Sequence, residues 1–303
     1  MKRKPLIMDG ATGTNLQNIA IPASVWQTSA TQSCEGCNEW LNLAYPQAII
    51  DLHASFIDAG SEAVETNTFG ANRITLAEYG LADKTAEINA AAVANARAAA
   101  HARGKRITIV GSMGPGTKLP SLGHIDPDVL AAAAAEQARA LIEAGADMLI
   151  LETAQDLLQV KRAVIAVFEL MESTREVPLM VSVTLESSGV MLVGSDISAV
   201  AAALEPFPIA SLGLNCATGP SEMESHIRYL SENWGRPISC MPNQGLPEIA
   251  EGKTVYPLRP EEFAAKMLYF VQNYAIDYAG GCCGTTPAHI KALADALAAG
   301  DFA

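Results

Sequence analysis

The stretch DPDVLAAAAAEQARALIEAGADMLILET, Asp126–Thr153, decides the fold, because it holds one complete helix-to-strand transition. Asp126-Pro127 is a helix start: a short acceptor that can cap the first amides, then a residue with no amide to satisfy. The Ala-rich run that follows stops at Gly145. Met148–Glu152 is then a short apolar strand ending in a carboxylate. The same unit recurs along the chain. Strand candidates are Leu6–Gly10, Ala63–Thr68, Ile107–Ser112, Met148–Glu152, Leu179–Thr184, Ser211–Cys216, Ile238–Met241 and Asp277–Gly281. Helix signals fall at Pro46–Gly60, Asp83–Gly104, Asp126–Gly145, Asp156–Met171, Ile197–Leu204, Ser221–Trp234, Pro260–Tyr274 and Pro287–Leu297. Eight βα units with near-continuous apolar strands predict a parallel sheet buried on both faces. That number favours an α/β fold of the closed (β/α)8 TIM barrel type over an open doubly wound sheet. The turn after the first strand, Asp9-Gly-Ala-Thr-Gly-Thr14, is not G-x-G-x-x-G, and no G-x-x-x-x-G-K-[ST] occurs.

Composition agrees. Half of the 303 residues are hydrophobic and 17% are charged, which excludes a disordered chain. Strand counting assigns residues 1–303 to one barrel domain. The excess length falls in loops 11–45 and 113–125, which are candidates to cover the barrel mouth. A net charge of -13 disfavours nucleic acid and anionic membranes as partners. The basic start Met1-Lys2-Arg3-Lys4 is followed too soon by Asp9-Gly10 to be a secretory signal, so a cytoplasmic location is expected.

Active sites of such barrels lie at the C-terminal ends of the strands. Those ends here carry Asp9, Glu65-Thr66-Asn67-Thr68, Ser112, Glu152-Thr153, Asn215-Cys216, Asn243 and Cys282-Cys283. Any one of them could cap the next helix, but so many buried strands ending this way are hard to explain by capping alone. Cys216, Cys282 and Cys283 are the sharpest signal: three thiolates and one open position make a catalytic zinc pattern. Gly280, Gly281 and Gly284 would let the backbone bend around the vicinal pair. On spacing alone, inert core thiols remain the alternative. Cys34 and Cys37 form a C-x2-C with no second half, and are read as packing; Cys240 reads as core. The histidines at 53, 101, 124, 226 and 289 read mostly as surface, with His124 in the long third loop the one to watch.

Taken in order, Asp9-Gly-Ala-Thr-Gly-Thr14, Glu65-Thr-Asn-Thr-Phe-Gly-Ala-Asn72, Gly111-Ser-Met-Gly-Pro115, Gly213-Leu-Asn-Cys216, Met241-Pro-Asn-Gln-Gly245 and Gly280-Gly-Cys-Cys-Gly284 resemble the homocysteine S-methyltransferase family over nearly the whole chain. Gly36-Cys-Asn-Glu39 and Glu152-Thr-Ala-Gln-Asp156 resemble its cobalamin-dependent methionine synthase branch, and within that the N-terminal homocysteine-binding module. The resemblance implies zinc on Cys216, Cys282 and Cys283, with the Asn243 side chain in the fourth position before substrate arrives. It implies that Asp9 and Glu152 hold the substrate's ammonium. Backbone amides around Thr12 and Ser112 would hold its carboxylate, and Glu65 and Asn215 complete the expected substrate site.

That chemistry suits the residue types. A free thiol has a pKa near 8.5, and a metal that binds only the thiolate favours ionisation. Three thiolate ligands keep a bound sulfur electron-rich, which fits alkyl transfer better than hydrolysis. The methyl donor implied by the resemblance is methylcobalamin on a separate protein or module, because D-x-H-x-x-G is absent and no corrinoid or folate module follows the eighth unit. The chain is accordingly expected to be an excised fragment or a subunit that docks a methylcorrinoid protein. Betaine or a methylsulfonium such as S-methylmethionine or S-adenosylmethionine is the alternative donor, and a non-catalytic zinc barrel is a different class again.

Overall fold

The computed structural model describes residues 3–29, 32–246, 248–250 and 253–300. Eight strands form one parallel sheet: β1 (Leu6–Ile7), β2 (Ala63–Glu65), β3 (Thr108–Met113), β4 (Met148–Ala154), β5 (Leu179–Val183), β6 (Ser211–Asn215), β7 (Ile238–Met241) and β8 (Tyr278–Ala279). They run in the order β1-β8-β7-β6-β5-β4-β3-β2. Single contacts close the seam between the two ends. The Glu62 amide donates to the Ile7 carbonyl at 2.8 Å, and the Ile7 amide donates to Glu62 Oε2 at 3.0 Å. The result is a (β/α)8 TIM barrel.

Eight longer helices alternate with the strands: α1 (Pro46–Ala59), α2 (Thr85–Ala102), α3 (Pro127–Glu143), α4 (Leu157–Met171), α5 (Ile197–Leu204), α6 (Pro220–Asn233), α7 (Pro260–Tyr274) and α8 (Pro287–Ala299). Proline supplies the first residue of α1, α3, α6, α7 and α8, where its missing N–H is no loss. Asp126, Asp156 and Asp196 cap α3, α4 and α5 with their side chains. None of the described helices is long and apolar enough to cross a membrane.

Side chains alternate along each strand, and the alternation sorts them into two apolar layers. Leu149, Leu151, Leu212, Leu214 and Cys240 face the helices and belong to the large strand–helix core. Met8, Ala63, Val110, Met148, Ile150, Met180 and Met241 form a separate cluster inside the barrel. The next residues of the same parity are Glu65, Ser112, Glu152 and Ser182. Alternation alone therefore carries the inward rows from apolar plug to polar site as the strands approach their C-terminal ends.

Three expectations change. β1, β2, β5, β6 and β8 stop earlier than their apolar runs suggested, so Asp9, Thr66–Thr68 and Cys216 lie on the turns just beyond, whereas β3 and β4 run on to Met113 and Ala154. His53 and His289 are buried, at 1% and 3% exposure, and are not surface residues. His53 lies on the inner face of α1, and His289 Nε2 sits 3.1 Å from the Leu258 carbonyl. Finally, loop 113–125 is pinned to α4. Asp156 accepts from the Ser121 amide at 2.8 Å and its hydroxyl at 2.7 Å, and Gln159 Nε2 donates to the carbonyls of Pro115 and Lys118, both at 2.9 Å. Loop 11–45, by contrast, does reach the barrel mouth.

Candidate functional site

A cavity of about 310 Å³ opens at the C-terminal end of the barrel. Glu65, Ser112, Glu152, Asn215, Cys216, Cys282 and Cys283 line it, with Thr12 and Glu39 from loop 11–45. No Lys, Arg or His is among the described lining residues. A cavity walled by carboxyls and thiols, with no protein cation to offset them, is electrostatically matched to a cationic guest.

The thiols meet because β6 and β8 flank β7 and both end at the same level. The sulfurs of Cys216, Cys282 and Cys283 all lie within 4.8 Å of one another. Cys216 Sγ is 3.7 Å from Cys283 Sγ. A tetrahedral zinc with bonds of about 2.3 Å needs sulfurs about 3.8 Å apart, so the Cys216–Cys283 pair already stands at ligand spacing and Cys282 lies close by. Behind it, Asn243 is 3% exposed, and its Oδ1 is buried without a hydrogen-bond partner among the described residues. Asn243 lies outside the cavity lining, but the next residue's amide donates to the Cys283 carbonyl at 2.9 Å, which holds this loop against the thiols. Cys283 is held well below the ordinary thiol range, at about 3, by hydrogen bonds from Cys216, then from Cys282 and Tyr256. Cys282 is pushed up by its hydrogen bonds to the other two sulfurs.

The backbone at this cluster is shaped by close approach as much as by torsion. Gly284 has φ +81°, as expected of a bend. Gly280 is glycine for a different reason: a Cβ there would lie 2.6 Å from Met8 Cβ. Cys216 itself has φ +61°, a left-handed conformation that L residues adopt only under constraint.

Opposite the thiols, three carboxyls converge. Asp9 is 3% and Glu152 8% exposed. Asp9 Oδ2 accepts from the Glu65 amide at 3.1 Å, so it extends the β1–β2 seam upward, and it is not itself among the cavity-lining residues. Burial pushes the Asp9 carboxyl well above its usual range, and Glu152's charge adds to this. Glu65 is raised by burial and then by repulsion from Glu152 and Asp9, and it hydrogen-bonds to Glu152. Glu152 is raised by burial, against a hydrogen bond from the Ser112 hydroxyl. The three groups cannot all be ionised cheaply until a cation joins them.

Asn215 couples the two halves. Its Nδ2 reaches Thr153 Oγ1 at 2.7 Å, Glu152 Oε2 at 3.2 Å and Cys282 Sγ at 3.8 Å. Its Oδ1 accepts from the Thr153 amide at 2.9 Å and the Ser182 hydroxyl at 2.7 Å. The amide is saturated and its orientation is determined by those partners. It also restrains Thr153 (φ +55°) from both sides. Ser112 is engaged too: its amide donates to Thr66 Oγ1 at 3.1 Å. The amides of Gly13, Thr14 and Asn15, just after Thr12, open the short helix Gly13–Leu16 and have no intrahelical acceptor.

Cys34 and Cys37 lie apart from this cluster, packed at 0% and 1% exposure with Ala71, Leu76, Leu81 and Ile88. Sequence reasoning had no role for Glu39, Thr153 or Tyr256. Glu39 clips loop 11–45 to the cavity wall through the Gly70 amide at 2.7 Å. Thr153 was visible as a polar strand end. Glu39 stood inside a quoted motif. Nothing local marked Tyr256, whose ring comes against Gly284 only through the fold.

The family model for homocysteine S-methyltransferases matches residues 6–297. A methionine synthase of Mycobacterium tuberculosis is 42% identical over 302 residues, covering 98% of this chain and 25% of that protein. The methionine synthase of Mycobacterium leprae is 41% identical with the same coverage. The chain thus spans a quarter of the length of these relatives. Among solved structures, the oxidized form of the homocysteine methyltransferase MmuM from Escherichia coli superposes with a TM-score of 0.75 at 23% identity, covering 96% of each chain. Its metallated form gives 0.73 at 21% identity, covering 97% of this chain and 96% of that one.

Proposed function

Because the chain belongs to the homocysteine S-methyltransferase family, we propose that its barrel binds homocysteine and presents the substrate's sulfur for methylation to methionine. The observation that carries this reading is the pairing of three converging sulfurs with the Glu65 and Glu152 carboxyls in one cavity whose described lining holds no cation, with buried Asp9 against the Glu65 backbone. The first group suits a thiophilic metal and the second an ammonium.

Cys216, Cys282 and Cys283 would hold zinc, with Asn243 Oδ1 as the fourth donor. Zinc bound there would favour the thiolate form of the substrate's sulfur, which is the nucleophilic form. Asp9, Glu65 and Glu152 receive the ammonium: its charge offsets both the burial that raises all three carboxyls and the repulsion that adds to it at Asp9 and Glu65, and its N–H groups give the carboxylates donors. The amides following Thr12 offer donors for the α-carboxylate. Ser112 and Asn215 act one step back, orienting Glu152 through a hydroxyl and an amide whose other bonds are spent. Asn215 also contacts Cys282, so the distance from ammonium site to sulfur site is held by one rigid side chain. That distance discriminates homocysteine from cysteine, which is shorter by one methylene; binding alone separates such pairs by only about 1–3 kcal/mol.

For the donor we propose methylcobalamin carried by another protein or module. The relatives named methionine synthase are four times longer than the matched segment, which supports this reading. The experiment is to load the protein with zinc, add homocysteine, and measure methionine formed from free methylcobalamin and from S-methylmethionine. Methionine from methylcobalamin is expected. Turnover only with S-methylmethionine would replace the donor, and zinc-edge absorption showing three sulfurs with and without homocysteine would refute the activation step.

A further inference from the structure

We propose that Thr66 and Thr68 are positioning residues for the ammonium site: their hydroxyls clasp the backbone of Ser112 and so fix where the Ser112 hydroxyl meets Glu152. The proposal rests on reading Glu152 as a holder of the substrate's ammonium. It starts from the register of the parallel ladder. Glu65 pairs with Val110, and the Thr66 amide donates to the Val110 carbonyl at 2.9 Å. Two residues further on, an unbroken ladder would send the Ser112 amide to the Thr66 carbonyl and the Thr68 amide to the Ser112 carbonyl. Those two groups of β2 meet each other instead. The Thr68 amide donates to the Thr66 carbonyl at 2.8 Å, and the chain turns away from the sheet.

The side chains of the same two residues take over the lost bonds. The Ser112 amide donates to Thr66 Oγ1 at 3.1 Å, and the Thr68 hydroxyl donates to the Ser112 carbonyl at 2.7 Å. The two hydroxyl oxygens are 2.6 Å apart. A carbonyl only accepts, so the single hydrogen of Thr68 is spent there, and the bond between the hydroxyls takes its hydrogen from Thr66. The ring therefore has one direction: Ser112 amide to Thr66, Thr66 to Thr68, Thr68 to the Ser112 carbonyl. All three residues are buried. Gln137 of α3 braces the ring from the helix layer, its Nε2 donating to the Thr68 carbonyl at 2.7 Å and the Ser112 carbonyl at 3.3 Å.

Ser112 is thus held on the β2 side beyond the point where β2 ends, and on its other side it stays in register with Ile150 of β4. Its hydroxyl projects into the barrel from a backbone fixed at both edges and donates to Glu152 Oε1. With the Ser112 amide and both threonine hydrogens spent inside the ring, this corner acts on the ligand through the Ser112 hydroxyl and Glu152. A neutral hydrogen bond changes an equilibrium by about 2–12-fold. Replacing Thr68 with the isosteric Val removes two bonds of the ring.

The test is calorimetric titration of the intact, zinc-loaded protein with L-homocysteine and with 4-mercaptobutyrate, which keeps the thiol and carboxylate and lacks the amino group. Thr68→Val is expected to weaken L-homocysteine by about 5–10-fold and 4-mercaptobutyrate by less than about twofold. Thr68→Ser restores the hydroxyl and is expected to bind both ligands as the unsubstituted protein does. Equal weakening of the two ligands, no weakening of either, or a serine variant as impaired as the valine one overturns the proposal, because a packing role neither distinguishes the ligands nor needs the hydroxyl. Circular dichroism checks that the barrel is retained; if Thr68→Val does not fold, Thr66→Val opens the same ring at its other hydroxyl and is judged by the same outcomes, with Thr66→Ser as its rescue. An unsubstituted protein that binds L-homocysteine no better than 4-mercaptobutyrate would instead refute the ammonium reading on which the proposal stands.

Discussion

Replacing Glu152 with Gln preserves size and most of the polar contacts of a buried side chain while removing one charge from the ammonium site. In the structure Glu152 is 8% exposed, receives the Ser112 hydroxyl and Asn215 Nδ2, and lies close enough to Glu65 for its charge to raise that carboxyl. A charge-assisted hydrogen bond of this kind contributes about 1.5–3 kcal/mol, which converts to roughly 10–150-fold in affinity. The effect should depend on the ligand's amino group. We therefore expect Glu152→Gln to weaken L-homocysteine binding by that factor, yet to weaken 4-mercaptobutyrate, which has the same thiol and carboxylate and no ammonium, less than about threefold. Calorimetric titration of both ligands into the zinc-loaded protein and its variant makes the comparison. Equal weakening of the two ligands would mean that the substitution damages the cavity as a whole, and would refute the assignment of Glu152 to the ammonium.

Other expectations follow from the same contacts. Cys282→Ala should abolish stoichiometric zinc retention after dialysis while circular dichroism remains barrel-like, since the main core lies in the strand–helix layer away from the thiols; global unfolding would assign the metal a structural role. Glu65 is raised above its unfolded value by burial and by two neighbouring carboxyls, so the stability it contributes is present at low pH and lost as pH rises through its folded pKa. Glu65→Gln should therefore raise the thermal midpoint of the ligand-free protein more at pH 8 than at pH 5, and an equal change at the two pH values would contradict the carboxyl repulsion. His53 has the opposite sign. Burial lowers it from 6.5 to about 4, so its contribution is complete above pH 6.5 and is lost as pH falls toward 4. That loss amounts to roughly 3 kcal/mol, and denaturant titrations of His53→Leu should show a correspondingly flatter acid limb.

Much of this was legible without coordinates. The barrel followed from counting strand–helix units, because a parallel strand buried on both faces must be apolar throughout and must be followed by a crossover. The extents of α5 and α7 agree with their sequence signals residue for residue. The strand ends were less legible, since an apolar run continues past the last ladder hydrogen bond. His53 and His289 were misread because a polar residue on a helix looks the same in sequence whether it faces water or a neighbouring helix. The glycines around Cys282-Cys283 were expected to supply bends. At Gly280 the cause is a contact with Met8, a residue more than 270 positions away, which no local pattern contains.

The amino-acid sequence by itself determined the barrel, the family and which polar side chains and thiols fall at the strand ends, because periodicity, parity and motif order are properties of a linear string. The tertiary structure alone decided how those side chains act on one another. It placed Asp9 on the β1–β2 seam beside Glu65, saturated Asn215 between Glu152 and Cys282, and brought the Tyr256 ring against Gly284. These relations depend on angstrom-scale distances between residues remote in the chain, and only closure of the barrel brings them within reach.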